Sequence, residues 1–239
     1  MFGLFAIAAA GCSRRVDDEQ ESHESIPPHE LPSYDEAVAQ LHQQRTDLRE
    51  AYRLARGTAE RREVIGLARQ ALVAGLFENL MPHWLGTRWD FNGISEVPGE
   101  GKIACGYFVS TLLRDAGLSV ERIRMAQQAS QNIIRSLTSS DYMVSFHGGE
   151  YRDFVRGMEG LGDGLYIIGL DRHVGFIVQG AEGSFFVHSD GGAHQCVVKE
   201  PLAQASALQQ SRYRIVGCVS ADDSLIGRWL SGEEIPTVR

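Results

Sequence analysis

The sequence lacks an excess of positive charge. Its 239 residues include 23 lysines and arginines against 31 aspartates and glutamates, which gives a net charge of -8 at pH 7. Half of that charge lies in residues 13–32, where six acidic residues stand against two arginines. A nucleic-acid partner requires a basic patch that neutralises phosphates, and the rest of the sequence is mildly acidic. The composition therefore gives no indication of nucleic-acid binding.

Long apolar segments are also scarce. The run MFGLFAIAAAGC at residues 1–12 is shorter than the roughly 20 residues that cross a bilayer, and no other segment is expected to cross one. The run ends in Ala-Gly-Cys and so resembles the lipobox of bacterial lipoproteins, in which the cysteine is lipidated and the residues before it are removed. That resemblance implies lipidation of Cys12. An export signal should begin with a positively charged region, which this run does not have. Either the start codon is misassigned and the true signal is longer, or this is a cytosolic protein with an apolar N-terminus.

The segment after Cys12 has the composition of a flexible linker, because it is polar and acidic and contains proline. We therefore predict three parts: a signal-like segment at 1–12, a disordered acidic tether at 13–32, and one globular domain at 33–239. With 43% hydrophobic residues, the chain can bury one sizeable core. Ser13 directly follows the cysteine, which by resemblance to enterobacterial lipoproteins implies the outer membrane. The expected location is the cell envelope, with the domain anchored to a membrane by lipid.

Cysteines are few, and their number is informative. The four are Cys12, Cys105, Cys196 and Cys218. If Cys12 is lipidated, three remain, which is an odd number for an oxidising compartment, so one of them should be a free thiol. Cys196 and Cys218 lie in short strand-like runs, where they either pair or serve as small core residues. Cys105 is left as the unpaired thiol.

The first half of the domain shows helical periodicity. Ser33 and Glu36 form a Ser-x-x-Glu capping box, which predicts a helix that runs to about residue 56. A second helix is predicted from residue 58 to about residue 80, with an apolar face at helical spacing. Ser119 is predicted to cap another helix that reaches about residue 137. The residues of that helix expected to face inward are Ile123, Ala126, Ile133, Ile134 and Leu137.

The second half of the domain has a different character. From residue 164 onward the sequence contains the short β-type runs GLYIIGL, HVGFIVQG, SFFVHS, CVVK and YRIVGCVS, and glycine or aspartate turns separate most of them. Helices followed by antiparallel strands predict an α+β domain in which the N-terminal helices pack on the sheet.

Cys105 stands at the head of a predicted helix. In the stretch 102–118, KIACGYFVSTLLRDAGL, an apolar face at helical spacing follows this cysteine. Unsatisfied N–H groups at a helix N-terminus stabilise a thiolate, lower its pKa and can hold an oxyanion that develops on a substrate carbonyl. Cys105 is therefore a candidate nucleophile, and the alternative is a small buried thiol.

His173 and His188 are the candidate partners of this thiol. They lie at the head of one predicted strand and near the end of the next, and a turn at 181–183 brings both towards the same end of the sheet. His173 lies ten residues before Gly183 and His188 five residues after it. We therefore expect direct contact between the two rings only if the strands are twisted and contain a bulge. A cysteine nucleophile needs a base, and the base commonly needs a third group that orients it. Two converging histidines provide both.

The order of these residues resembles the NlpC/P60 superfamily of papain-like cysteine peptidases, which are mostly bacterial cell-wall amidases. The matching motifs span roughly residues 84–198 and are GTRWDFNG (86–93), ACGYFV (104–109), GD (162–163), HVGFIV (173–178) and FFVHSD (185–190). The resemblance implies a papain-like domain with Cys105 as nucleophile, His173 as general base and His188 as the group that orients it. It implies hydrolysis of a cell-wall peptide amide without a cofactor or metal. Trp89 and Asp90 are candidates to line the substrate cleft.

The match has departures that leave the substrate open. Ala104 replaces the aspartate before the nucleophile, Gly106-Tyr107 replaces Ser-Gly after it, and Trp89 stands where the family has a tyrosine. Two alternatives follow. One is a lipid-anchored binding module of the envelope without catalysis, and the other is a hydrolase or acyltransferase that acts on a different amide or ester.

Other catalytic motifs are weak in this sequence. FHGG at 146–149 resembles an oxyanion loop of serine hydrolases, but no Gly-x-Ser-x-Gly accompanies it. GEGK at 99–102 lacks the remaining residues of a phosphate-binding loop. A metal site would group His173, His188, His194 and Cys196, whose spacing matches no common zinc motif. The sequence thus favours thiol chemistry over these alternatives.

Overall fold

A computed structural model describes residues 32–238 of the chain. The signal-like segment, the lipidation candidate Cys12 and the tether up to residue 31 lie outside the described residues. Lipidation and disorder of that region therefore stay predictions.

The N-terminal helices begin as the sequence predicts. Helix α1 (Tyr34–Leu54) opens with the capping box, in which Ser33 N–H donates to the Glu36 carboxylate at 2.8 Å and the Ser33 hydroxyl accepts the Glu36 N–H. This prediction is confirmed, since both reciprocal bonds are present. Helix α2 (Thr58–Ala74) continues through a π-helical turn (Gly75–Leu80) into α3 (Met81–Trp84).

The continuous helical stretch Thr58–Trp84 corrects one expectation from the sequence. Its 27 residues are long and apolar enough to cross a membrane by length and composition alone, whereas no second such segment was expected. That test is weak, because the core helix of a globular domain passes it as well. The apolar residues at helical spacing are all buried in the domain core: Ile65, Ala68, Leu72, Leu76 and Leu80. Packing within the domain accounts for the apolar face of this stretch.

Two short parallel strands, β1 (Arg88–Trp89) and β2 (Lys102–Ile103), frame the loop that precedes the cysteine. Helix α4 (Cys105–Asp115) follows directly, so the thiol does stand at a helix head. The apolar face of α4 is buried, and its Phe108 ring contacts Phe176 edge-on with the ring centroids 6.1 Å apart. This contact anchors α4 to the sheet.

The region after α4 departs from the single predicted helix. It forms β3 (Ser119–Val120), α5 (Arg122–Ala126) and α6 (Ser130–Leu137). In α6 the predicted inward residues Ile133, Ile134 and Leu137 are buried, but Ile123 in α5 is 59% exposed, so its inward placement was wrong.

The reason for this error is a buried arginine. The Arg122 guanidinium donates to the Thr111 hydroxyl and to the carbonyl oxygens of Ile94 and Ser95. These bonds turn Arg122 and Met125 inward and leave Ile123 facing outward. A hydrophobic periodicity cannot reveal an arginine that is buried because its donors are satisfied.

Six antiparallel strands form the main sheet. They are β4 (Met143–His147), β5 (Gly164–Leu170), β6 (Val174–Gly180), β7 (Gly183–Ser189), β8 (Val197–Pro201) and β9 (Tyr213–Cys218), arranged in the order β4-β9-β5-β6-β7-β8. The five predicted β-type runs all fall on strands. The antiparallel sheet together with the preceding helices confirms the α+β class.

Helices cover both faces of this sheet. The N-terminal helices and α4 pack on the face that carries Val174, Phe176 and Val187. Helices α7 (Tyr151–Leu161) and α8 (Ser206–Gln210) pack on the opposite face, against Ile177 and Phe186. The alternation of side chains along a strand produces these two faces.

The C-terminal elements close the domain on the side of the N-terminal helices. Helix α9 (Asp223–Ser231) buries Trp229, whose indole N–H donates to the Ala116 carbonyl at 2.7 Å, and β10 (Glu234–Ile235) pairs with β3. The end of α4 is thereby fixed, which holds the helix whose first residue is Cys105.

Candidate active site

A cleft of about 1230 Å³ opens where α4 meets the sheet, and Cys105 and His173 both line it. Trp89, from β1, lines the same cleft. Further lining side chains are the apolar or aromatic Phe91, Ile94 and Tyr107 and the polar Gln127, Arg172 and Asp190. The cleft is therefore mixed in character, with a thiol and an imidazole in one wall.

Cys105 sits at an uncapped helix N-terminus. Ala104, the N-cap residue, offers no side-chain acceptor, so the first N–H groups of α4 have no partner in the helix. The backbone N–H of Val174 lies close enough to the Cys105 thiol to act on its pKa, which places the head of α4 at the start of β6.

The pKa of Cys105 is raised above its usual value, chiefly because the thiol is buried. Hydrogen bonds from backbone N–H groups act in the opposite direction but do not outweigh burial. The expectation of a lowered pKa at this helix head is therefore not met. At neutral pH the thiol is protonated.

The glycine after Cys105 is explained by helix packing. A Cβ atom at Gly106 would lie 2.3 Å from the carbonyl oxygen of Ala126 in α5, closer than real Cβ contacts. A serine, which the NlpC/P60 pattern has at this position, would not fit without moving α5. The departure in sequence therefore follows from the close approach of α4 and α5.

His173 and His188 are in direct contact. His173 Nε2 lies 2.7 Å from His188 Nδ1, with the rings nearly perpendicular at 81°. Phe186 stacks on the other side of the His188 ring, with centroids 4.0 Å apart and planes at 19°. His188 is fully buried, so its orientation is fixed from both sides.

The two histidines meet without the predicted bulge. The regular register pairs Phe176 with Val187, so His173 and His188 are diagonal neighbours on one face of the sheet. Gly175 makes room for this contact, because a Cβ atom there would lie 2.8 Å from the His188 Cβ atom. The glycine of the His-Val-Gly motif thus serves the packing of the two rings.

His173 is uncharged at physiological pH. Burial and the neighbouring His188 lower the pKa of His173 to about 3, and Asp190 acts in the opposite direction. A neutral imidazole has one bare ring nitrogen that can accept a proton. Since Nε2 faces His188, Nδ1 is the ring nitrogen that this contact leaves unengaged.

His173 and His188 form a row of two contacting imidazoles. The Cys105 thiol and this row approach from opposite faces of the sheet. Helix α4 packs on one face and His188 lies on the other. The two sides meet at the start of β6, where the Cys105 thiol lies near the backbone N–H of Val174, next to His173. Within residues 32–238, no hydrogen bond joins the Cys105 sulfur to the His173 ring. The contact expected between the candidate nucleophile and its candidate base is therefore not formed in this structure.

Glu200 is a member of this row that the sequence analysis missed. Its Oε1 lies 2.9 Å from His188 Nε2, and its Oε2 lies 3.7 Å from Nε2 of the half-exposed His194. Glu200 pairs with Phe186 across β7 and β8, which places it diagonally from His188. The signal in the sequence is the acidic residue of the run VVKEP, but its face becomes known only with the register of β8.

Trp89 and Asp90 occupy different positions. Trp89 is half-buried in the cleft wall, and a Cβ atom at Gly191 would lie 2.5 Å from its indole ring. Asp90 does not line the cleft as this structure describes it; its carboxylate accepts from Lys102 Nζ and from the Asn92 N–H, both at 2.9 Å. Asp90 therefore holds the loop that carries Trp89.

The alternative metal site does not assemble. In the part of the chain that the structure describes, no three histidine, cysteine, aspartate or glutamate side chains converge as metal ligands. Cys105, Cys196 and Cys218 are free thiols, so Cys196 and Cys218 are not joined in a disulfide. Both fit the simpler interpretation of small residues at the edges of strands.

Comparison of the chain with protein-family models, with curated proteins and with solved structures gives no significant match. The residues of the cleft and the motifs of the sequence are therefore the basis for assigning a function.

Proposed function

We propose that this chain is a cysteine hydrolase of the papain-like NlpC/P60 type that cleaves an amide through a thioester on Cys105. The observation that carries the proposal is that Cys105, at the head of α4, and His173, held by His188 at 2.7 Å, both line one cleft. The reaction requires the two side chains to come together there from the two faces of the sheet. A thiol and an oriented imidazole in the wall of one cleft are two of the groups that thiol hydrolysis needs.

The first half of the reaction is acyl transfer to the enzyme. His173 Nδ1 takes the thiol proton of Cys105 as the sulfur bonds to the carbonyl carbon of the substrate amide. The tetrahedral intermediate then collapses, and the His173 imidazolium gives its proton to the nitrogen of the leaving amine as the C–N bond breaks. Both groups start neutral, so the proton moves during the attack and His173 acts as a true general base.

The second half is hydrolysis of the thioester. Water gives a proton to His173 Nδ1 and bonds to the acyl carbon. The C–S bond then breaks, the sulfur of Cys105 takes the proton back, and a carboxylic acid leaves. One water molecule is consumed for each amide cleaved.

The helix N-terminus supplies the stabilisation of the oxyanion. Cys105 is the first residue of α4 and its N–H has no partner in the helix, so this N–H can donate to the oxygen that becomes negative in the intermediate. The positive end of the helix dipole acts in the same direction.

The substrate class and the location follow from the motifs together with the size of the cleft. An open cleft of about 1230 Å³ accommodates a peptide, and Trp89 and Phe91 offer aromatic walls to it. We propose a cell-wall peptide as the substrate and a lipid on Cys12 as the anchor that keeps the domain at the envelope.

Digestion of purified peptidoglycan by the full chain tests the proposal, with the released fragments analysed by liquid chromatography and mass spectrometry. We expect pairs of new amine and carboxylate termini from wild type and none from Cys105→Ala. A matched control, Cys218→Ala, should cleave like wild type, because Cys218 lies at the end of β9, beside Ser220. Equal cleavage by Cys105→Ala would refute the role of Cys105. Intact peptidoglycan, from a protein whose Cys105 still accepts an acyl group, would refute only the substrate class.

A further inference from the structure

We propose that Glu200 is a positioning residue that fixes the proton arrangement of His188 and, through it, of His173, so that His173 offers a bare Nδ1 to the cleft. The inference rests on the proposed function, since it concerns the base of that reaction. It adds a fourth member to the row of Cys105, His173 and His188.

The geometry is a diagonal row across three neighbouring strands. His173 precedes β6, His188 lies in β7 and Glu200 lies in β8, all on the same face of the sheet. The contacts between successive members are 2.7 Å and 2.9 Å, both within hydrogen-bond distance. Side-chain exposure is 0% for His188 and 14% for Glu200, so little water competes for these bonds.

The direction of the hydrogen bonds follows from the donors and acceptors available. An ionised carboxylate only accepts, so the His188 Nε2 that faces Glu200 must carry a proton. If His188 carries only this one proton, its Nδ1 is bare and can only accept, and the facing Nε2 of His173 then donates. Neutral His173 is left with a bare Nδ1.

Without the Glu200 carboxylate, nothing fixes which ring nitrogen of His188 carries the proton. His188 can then carry its proton on Nδ1 and donate to His173 Nε2, which moves the proton of His173 to Nδ1. A His173 protonated at Nδ1 cannot take the proton of Cys105. The carboxylate also offsets the positive charge that His173 acquires when the thiol proton reaches it.

Among residues 32–238, Glu200 has one other ion-pair neighbour, His194, whose Nε2 lies 3.7 Å from Glu200 Oε2 and whose side chain is 46% exposed. A purely structural Glu200 would hold the loop of His194 in place and leave the tautomer of His173 unaffected. The two roles are therefore separable by a measurement on the ring nitrogens themselves.

The first test is ¹⁵N NMR of histidine-labelled full chain at neutral pH, with His173 assigned by comparison with His173→Gln. In wild type we expect His173 to be protonated at Nε2 and bare at Nδ1. In Glu200→Met, which removes the acceptor, we expect a substantial population with the proton on Nδ1. The matched control Glu182→Met, in the exposed turn between β6 and β7, should keep the wild-type spectrum.

The second test measures acetylation of Cys105 by p-nitrophenyl acetate. We expect Glu200→Met to slow it about 10- to 100-fold and Glu182→Met to leave it unchanged. The effect should be smaller than that of a carboxylate in direct contact with the base, because one imidazole lies between Glu200 and His173. A wild-type His173 protonated at Nδ1, or a Glu200→Met spectrum identical to wild type, would overturn the inference. The protonated nitrogen of His173 in the wild-type spectrum tests the inference even if Glu200→Met does not fold. If Cys105 accepts no acyl group at all, the proposed function fails while the tautomer measurement still stands.

Discussion

The rings of His173 and His188 meet nearly at right angles, with Nε2 of the first 2.7 Å from Nδ1 of the second. This contact uses one of the two ring nitrogens of His173 and leaves Nδ1 unengaged, and Nδ1 is the nitrogen that acts as the base in the proposed function. It also buries His173 in its neutral form, beside a second imidazole that disfavours a positive charge. The stability of the fold and the state of the site are therefore linked at this residue.

The neutral state of His173 predicts a loss of stability in acid. The unfolded chain binds a proton at this histidine near pH 6.5, whereas the folded chain does so only near pH 3. Between these values the unfolded state holds more protons, so the free energy of unfolding falls as the pH falls, with a slope that approaches about 1.4 kcal/mol per pH unit for one proton. Urea unfolding of wild type and His173→Gln from pH 7 to pH 4 measures this. The stability advantage of wild type should shrink towards acid, and a difference independent of pH would contradict the assignment.

The raised pKa of Cys105 predicts slow alkylation in the absence of substrate. Because the thiolate is the reactive form, the rate of modification of Cys105 by iodoacetamide should rise about tenfold per pH unit from pH 6 to pH 9 without a plateau. Mass mapping of the modified cysteines measures the rate at each position. A plateau at or below pH 7 would show a stable thiolate in the free protein and would contradict the neutral thiol.

The glycine between the two imidazoles provides a test that couples packing to the site. In Gly175→Ala the new Cβ atom would press on the His188 Cβ atom at 2.8 Å and on the Phe186 ring, so we expect a loss of about 1–3 kcal/mol in the free energy of unfolding. The matched control is Gly66→Ala in α2, where a Cβ atom meets nothing within 4 Å and a gain of about 0.5–1 kcal/mol is expected. Equal effects of the two substitutions would show that the close approach at Gly175 is absent.

The lipid anchor is tested in a bacterial host that processes lipoproteins. Cys12→Ser should move the protein from the membrane fraction to the soluble fraction, because the thiol that carries the lipid is gone. Wild type should lose the residues before Cys12 and gain the mass of the lipid. Identical soluble fractionation of wild type and variant, with Met1 present in both, would refute the anchor and with it the case for a substrate in the cell wall.

Local signals in the sequence predicted much of the fold. The capping box of Ser33 and Glu36 and the five β-type runs each depend on neighbours within a few residues, and these predictions are confirmed. The buried Arg122 escaped prediction because its partners in the loop and in α4 are distant in sequence. Gly106 and Gly175 are evident in the sequence. The reason for a glycine at each position is a close contact with a different helix or strand, which the sequence does not reveal.

The candidate site also contains residues that the sequence identified and one that it did not. Cys105, His173 and His188 were identified from motif order, and the structure brings Cys105 and His173 to one cleft and His173 to His188. Glu200 could not be identified, because its contact with His188 depends on strand register, which the sequence does not specify for β8. Asp90 was placed near the cleft from its position beside Trp89, yet its carboxylate is engaged by Lys102.

The most direct test of the central claim is transfer of an acetyl group from p-nitrophenyl acetate, which requires no knowledge of the natural substrate. The sulfur that attacks acquires the acetyl group and p-nitrophenolate is released, so absorbance gives the rate and peptide mass mapping gives the residue. We predict rapid acetylation of Cys105 in wild type, loss of it in Cys105→Ala, and a strong reduction in His173→Gln, with Cys196 and Cys218 modified slowly and equally in all three proteins. Acetylation of Cys105 at the same rate in wild type and His173→Gln, or no preference for Cys105 over Cys196 and Cys218, would contradict a nucleophile activated by His173.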